Sequence, residues 1–287
     1  APRDVEAYDL RTRTSGNTNI ARLKQGMVGG QFWSVYIPGE VKDSGFARIQ
    51  LEQIDIAKRI VAKYPDALSL SLTAADVRRA KAAGKVGSLL GMEGGHALEN
   101  SLGALRAYYD LGARYLTLTH NVTLDWADAA QDKLLHGGLT KFGEEVVREM
   151  NRLGMLVDLS HVSPGTMSDA LNVTESPVIF SHSAARALVD VPRNVPDSIL
   201  QRLPKNGGVV MVAFVPGFTS NKVVAWKKAQ GERAEAALKR HAGDSAAARR
   251  DLKEWERTHP FVNANIADVA DHIEHIRKVA SVNNVGL

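Results

Sequence analysis

The chain has 287 residues, 44% of them hydrophobic and 24% charged, with 36 basic against 32 acidic side chains and no cysteine. These are the proportions of a folded chain long enough for one α/β barrel, and they exclude wholesale disorder. The charge excess of +4 is spread along the sequence and gives no nucleic-acid footprint, while the missing thiols exclude disulfides, thiolate metal sites and cysteine nucleophiles.

Residues 1 to 20 are polar and turn-rich, with Ser15-Gly16-Asn17 as punctuation, and lead to a short helix around Ile20 to Gln25. Val28 to Ile37 reads as the first strand, stopped by Pro38-Gly39. A helix follows from about Ser44 to Tyr64, with Ile49, Ile54, Ile56 and Ile60 among its apolar positions. Thr73 is the expected cap of the next helix, with Asp76 at its third position, and that helix ends near Gly84. Lys85 to Met92 is a strand delivering Glu93, after which Gly94-Gly95 lets the chain turn sharply. A helix from about Ser101 to Leu111 precedes a strand ending in Tyr115-Leu-Thr-Leu-Thr-His120.

The connection from Asn121 to Thr140 is long, and two readings stand side by side: a surface excursion, or part of a wall over the site. Phe142 to Leu153 is an amphipathic helix closed by Gly154. The strand Met155-Leu-Val-Asp-Leu-Ser-His161 comes next, and Ser163-Pro164 opens the following helix. Val178-Ile-Phe-Ser-His-Ser183 is a strand carrying His182, and the loop Arg186 to Asp197 feeds a helix to about Leu203. Residues 207 to 215 form a buried strand stopped by Pro216-Gly217. Residues 222 to 258 are helical and charged with both signs, a solvated face by default and a lid or partner surface by alternative. A last helix covers 266 to 280, and residues 284 to 287 begin a strand. This gives six substantial strands and a fragment.

The βαβ rhythm predicts parallel strands whose carboxyl ends face one side, where α/β barrels keep their chemistry. Glu93, His120, His161 and His182 all fall at such ends, so a metal or acid/base site is expected there. Without cysteine, any metal must be held by His, Asp and Glu. Glu93, His161 and His182 suit zinc well and manganese or cobalt less exclusively, and they leave room for a water that ionises near neutral pH and attacks a carbonyl. Glu93 can also bridge a second ion. His120 is open to three roles: fourth ligand, general acid, or donor to a developing oxyanion. Arg193 is the candidate for gripping a substrate carboxylate, because its planar fork matches that geometry. His96 reads as a turn histidine. His272 and His275 share a helical face at metal-compatible spacing but are expected in solvent; His136, His241 and His259 carry no signal. No phosphate-binding glycine loop or Gly-x-Ser-x-Gly elbow occurs, which excludes nucleotide-loop and serine-hydrolase readings.

At these residues the sequence resembles the membrane dipeptidase (renal dipeptidase) family of zinc peptidases. The matching runs are Gly29-Gly-Gln-Phe-Trp-Ser-Val-Tyr36, Gly91-Met-Glu-Gly-Gly-His96, Arg114-Tyr-Leu-Thr-Leu-Thr-His120, Trp126-Ala-Asp128, Asp158-Leu-Ser-His-Val-Ser163, Val178-Ile-Phe-Ser-His-Ser183 and Arg193-Asn-Val-Pro-Asp197. The resemblance implies a (β/α)8 TIM-type barrel as a single domain over residues 1 to 287, a binuclear zinc site, and hydrolysis of dipeptides, some with a C-terminal D-residue. It makes Glu93 the bridging carboxylate, His161 and His182 ligands of one zinc, His120 the group that contacts substrate and stabilises the tetrahedral intermediate, and Arg193 a substrate-binding residue. A homodimer is expected on the same ground.

Two family motifs are missing: a His-x-Asp pair on the first strand and an Asp-Phe-Asp segment on the last. The chain is therefore expected to be an incomplete copy, with one zinc or none if it truly ends here. Competing expectations are another barrel metallohydrolase, acting on a cyclic amide or a deaminase substrate, and a metal-deficient peptide-binding protein. No stretch approaches the roughly 18 apolar residues of a membrane span, and the first residues do not read as a signal peptide. The expected compartment is cytoplasmic or periplasmic.

Overall fold

A computed structural model describes residues 5–7, 9–12, 16–39 and 45–287, in two compact units: residues 1–179 and 180–287. Ser15 and Ser44, an expected turn and an expected helix start, lie outside the described residues.

In the first unit, helix α1 (Ile20–Gln25) is capped by the Asn19 side chain and leads to strand β1 (Gly30–Ser34). Helix α2 (Phe46–Lys63), strand β2 (Leu68–Leu70) and helix α3 (Ala74–Ala82) follow. The expected capping box is present: the Thr73 hydroxyl accepts from the Asp76 N–H while the Asp76 carboxylate accepts from the Thr73 N–H. Strand β3 (Val86–Glu93) then passes through a 3₁₀ turn (Gly95–Leu98) into α4 (Leu102–Asp110), and strand β4 (Ala113–Thr117) into α5 (Lys141–Leu153). Gly154 ends α5 in the left-handed conformation, φ 78°, as its position after the last apolar turn predicted. Strand β5 (Leu156–Asp158), helix α6 (Pro164–Val173), capped by Ser163, and the start of β6 (Ile179–Ser183) complete the unit.

The pairings among strands β1 to β5 are parallel, in the order β1-β3-β4-β5, with β2 also on β3. Leu90, Met92, Leu116 and Val157 are buried on one face of the sheet, Met92 aligned with Leu116 and Leu116 with Val157, while Glu93, Thr117 and Asp158 align on the other. Helix α5 buries Val146, Val147 and Met150, one stripe at helical spacing. A second cluster gathers Leu10, Ile20, Leu23, Val61, Tyr64 and Leu68, which anchors the N-terminal segment.

The second unit continues β6 into two short helices, α7 (Asp197–Leu200) and α8 (Leu203–Asn206), then strand β7 (Val209–Val212) and a one-turn helix α9 (Pro216–Thr219). The charged stretch is two helices, α10 (Asn221–Arg240) and α11 (Ser245–Thr258), broken at His241 to Asp244. Helix α12 (Ile266–Val279) leads to β8 (Val285–Gly286), which pairs in parallel with β7.

Three sequence expectations are corrected. The described residues hold eight strands rather than six and a fragment, because Leu68–Leu70 pairs with Val86–Ser88. Its three residues, squeezed between two helices, are too short for an alternation signal. The single helix expected to Leu203 is two short ones. His272 is buried rather than solvated: its Nδ1 accepts the Ala185 N–H at 2.9 Å, and His275 meets Asp197 at 2.8 Å. Among the described residues, no helix is long and apolar enough to cross a membrane.

Candidate metal centre

Strand register decides which side chains can meet. Glu93 is aligned with Thr117, Thr117 with Asp158, and Asp158 with Ile179. His120, His161 and His182 therefore each follow that row by three residues in sequence. Regular spacing of this kind follows from parallel pairing and is invisible in the linear chain.

In the first unit the row converges. His161 Nε2 lies 2.9 Å from Glu93 Oε1, and the Ser34 hydroxyl donates to Glu93 Oε2 at 2.9 Å. The His120 ring has Tyr36 at 4.6 Å and His161 at 4.3 Å between centroids. Asn121 Oδ1 stands 3.1 Å from His161 Nδ1. Behind them the buried Asp158 carboxylate accepts from the Thr117 hydroxyl at 2.5 Å and from the Ser160 N–H at 3.1 Å, which ties two strand ends together. His161 has φ 70°, a left-handed conformation that costs a non-glycine residue about 1 kcal/mol or more.

The turn after Glu93 works as expected. Gly94 has φ 110°, and a Cβ there would fall 2.2 Å from the His96 ring. A Cβ on Gly95 would fall 2.5 Å from both the Leu118 carbonyl and the Trp126 ring. His96 itself is buried, with Nε2 3.1 Å from the Ile37 carbonyl, so it braces the turn from behind.

In the second unit His182 sits on β6 with Nδ1 2.8 Å from the Ser181 hydroxyl. Arg193 is buried, donates to the His182 carbonyl at 3.4 Å, and lies over the Phe218 ring at 4.9 Å. The neighbouring Asn194 side chain fixes that loop by donating to the carbonyls of Val189 and Phe218, both at 2.8 Å. His182 and Arg193 are thus brought together, as Glu93, His120 and His161 are in the first unit.

The donor chemistry suits a divalent ion. An amide oxygen only accepts, so Asn121 Oδ1 favours the tautomer with the hydrogen on His161 Nδ1; in that neutral tautomer the Nε2 lone pair faces Glu93 Oε1, whereas a protonated ring would donate to it. Two acceptors 2.9 Å apart require a proton or a cation between them. A carboxylate oxygen with imidazole nitrogen is a borderline set that matches zinc and its neighbours.

Sequence reading missed Ser34, Tyr36 and Asn121. The first two lie at and just past the end of β1, which is in register with β3 through Ser34 opposite Gly91. That pairing held the signal. Asn121 immediately follows His120 and stood out only as the start of a long connection.

Comparison with known proteins defines the class first. The probable dipeptidase PvdM from Pseudomonas aeruginosa superposes with a TM-score of 0.82 at 22% identity, covering 96% of this chain and 77% of that one. A metallo peptidase from Rhodobacter sphaeroides, liganded with a phosphinate mimic of the dipeptide L-Ala-D-Ala, gives 0.78 at 20% identity, over 100% of this chain and 80% of that one. At these identities the likeness shows the fold, an α/β chain of the TIM-barrel type. A family model described as membrane dipeptidase (peptidase family M19) matches residues 2–287, and the chain belongs to that family. Dipeptidase 3 of Mus musculus is 40% identical over 288 residues, 99% of this chain and 50% of its own length. The chain spans about half the length of the curated relatives it matches.

Proposed function

We propose that this chain carries the catalytic site of a zinc-dependent dipeptidase that hydrolyses the peptide bond of dipeptides, including those with a C-terminal D-residue. Glu93, His161 and His182 are the proposed metal ligands. The observation that carries the reading is the row of donors at aligned parallel strand ends, with Glu93 and His161 at 2.9 Å, in a chain of the M19 family. His182, three residues after Ile179 as His161 is after Asp158, is proposed as the third ligand on the family resemblance.

A bound zinc supplies Lewis acidity and a water that ionises near neutral pH. The protein's own groups do the rest. Glu93 Oε2 is held by the Ser34 hydroxyl, so Oε1, beside His161, keeps a fixed direction. His120, packed beside the Tyr36 and His161 rings, serves to stabilise negative charge on the substrate carbonyl oxygen. Arg193, desolvated over Phe218, pairs with the substrate carboxylate and selects for a free C-terminus. Glu93 is the proposed bridge if a second ion binds, and a homodimer is the proposed assembly.

The test is hydrolysis of L-Ala-D-Ala and L-Ala-L-Ala by the full-length protein, with zinc counted by elemental analysis and mass by light scattering. Turnover that disappears on chelation, returns with zinc and is abolished in Glu93→Gln supports the proposal. Stoichiometric zinc with dipeptide binding but no turnover overturns it in favour of a peptide-binding protein.

A further inference from the structure

The connection from Leu118 to Thr140 grips the segment that carries His161 on both sides of that residue. The Ala130 N–H donates to the His161 carbonyl at 2.7 Å, Ala129 forms an antiparallel bridge with Val162, and the Asp128 carbonyl accepts from the Ser163 N–H at 2.9 Å and from the Thr166 hydroxyl at 3.0 Å. Asp128 can do this because its own position is fixed. Its side chain is buried and its carboxylate accepts the N–H groups of Leu135 at 2.8 Å and His136 at 3.1 Å. The left-handed backbone of His161 is therefore set by partners from this connection. At the start of the same connection, Asn121 Oδ1 meets His161 Nδ1.

We propose that Asn121 is a positioning residue of the metal centre: its side-chain oxygen fixes the tautomer and ring plane of His161, while residues 128–130 fix its backbone. The inference rests on the reading of Glu93 and His161 as ligands. The backbone clamp and the packing of the ring against His120 leave open which ring nitrogen carries the hydrogen. Only a partner that accepts at Nδ1 commits Nε2 to the ion. Removing such a partner from a ligating histidine lowers metal affinity by roughly 10- to 100-fold. An aspartate at the same place keeps the acceptor, whereas leucine has similar size and none.

The experiment measures zinc affinity of the full chain by competition with a chromophoric chelator, for the wild type and for Asn121→Leu, Asn121→Asp and His161→Ala. Nitrogen chemical shifts of the histidine rings report the tautomer of the zinc-free protein, and far-UV circular dichroism checks the fold. The expected result is a loss of about 10- to 100-fold in affinity for Asn121→Leu with the fold intact. Asn121→Asp should retain affinity, and the Nδ1–H signature of His161 should be present in the wild type and mixed in Asn121→Leu. Wild-type affinity in Asn121→Leu, or equal losses in the leucine and aspartate variants, overturns the proposal. His161→Ala separates the two levels. If it binds zinc as the wild type does, the ligand assignment itself fails; if it loses zinc while Asn121→Leu does not, only the positioning role fails.

Discussion

Two histidine–carboxylate pairs occupy opposite settings. In the first unit His161 and Glu93 meet at 2.9 Å at aligned strand ends, with an amide oxygen behind the imidazole and a hydroxyl behind the carboxylate. In the second, His241 meets Asp251 at 3.2 Å between α10 and α11, where Arg233 and Arg240 also reach the same carboxylate. Burial raises the pKa of Asp251, but the His241 hydrogen bond and the two arginine charges outweigh it and hold the group below the ordinary carboxylate value. That carboxylate is already neutralised by the protein. The first pair is backed by an amide oxygen and a hydroxyl, and the second by two guanidinium groups. The lesson is that the neighbours of a histidine–carboxylate pair, rather than the pair itself, decide whether it can take a metal.

The largest expected effect breaks this comparison outright. His161→Ala should lower kcat/KM for a dipeptide by more than the roughly 100-fold typical of losing a ligand's supporting partner, whereas His241→Ala should leave both activity and zinc content unchanged. Steady-state kinetics with elemental analysis on the two variants decides it. Next comes Gly95→Ala, whose added methyl would meet the Leu118 carbonyl and the Trp126 ring at 2.5 Å. We expect a loss of about 3 kcal/mol in urea unfolding, since backbone leaves overpacking little room to relax.

His272 tests the second unit in the same way. Replacing it with alanine orphans the buried Ala185 N–H and should cost about 1 to 3 kcal/mol. Burial lowers the pKa of His272 below its ordinary 6.5, so the unfolded chain binds more protons there as pH falls. Its contribution to stability should be complete above pH 6.5 and decline as pH drops through the depressed value, and His272→Ala should flatten that slope. In the first unit Glu149 is held down to about 2, first by hydrogen bonds from Arg152 and then by those from Arg106. That contribution should be complete above the ordinary value of 4.5 and vanish as pH falls toward 2. Half-exposed arginines keep it under about 1 kcal/mol, measurable as a shallower acid limb in Glu149→Gln. Smallest of all, Arg257→Ala removes an exposed pair with Glu254 and should leave the melting temperature almost unchanged in a thermal scan.

The helices and most strands were legible in the sequence because their signals are local. The Thr73–Asp76 capping box, the Ser163-Pro164 start and the Gly154 stop each involve residues within one or two turns, and each stands where the pattern put it. Strand ends were overextended at both Val28 to Ile37 and residues 207 to 215, since apolar residues continue past the last ladder hydrogen bond. The environments of His272 and the 121–140 connection were not legible. An i, i+3 histidine pair on a charged helix looks solvated until Ala185, 87 residues away, supplies a donor. A long polar loop looks peripheral until its carbonyls and amides are seen on residues 161 to 166.

What the sequence determined by itself was the alternation of strands and helices, the family, and the residue types at the strand ends, because hydrophobic period, capping and motif all act over short distances. Only the tertiary structure decided that Glu93 and His161 face each other at 2.9 Å, that Ser34 and Asn121 stand behind them, and that His272 is buried. Those outcomes depend on parallel register between segments tens of residues apart. A shift of one residue in that register would turn each strand side chain to the opposite face.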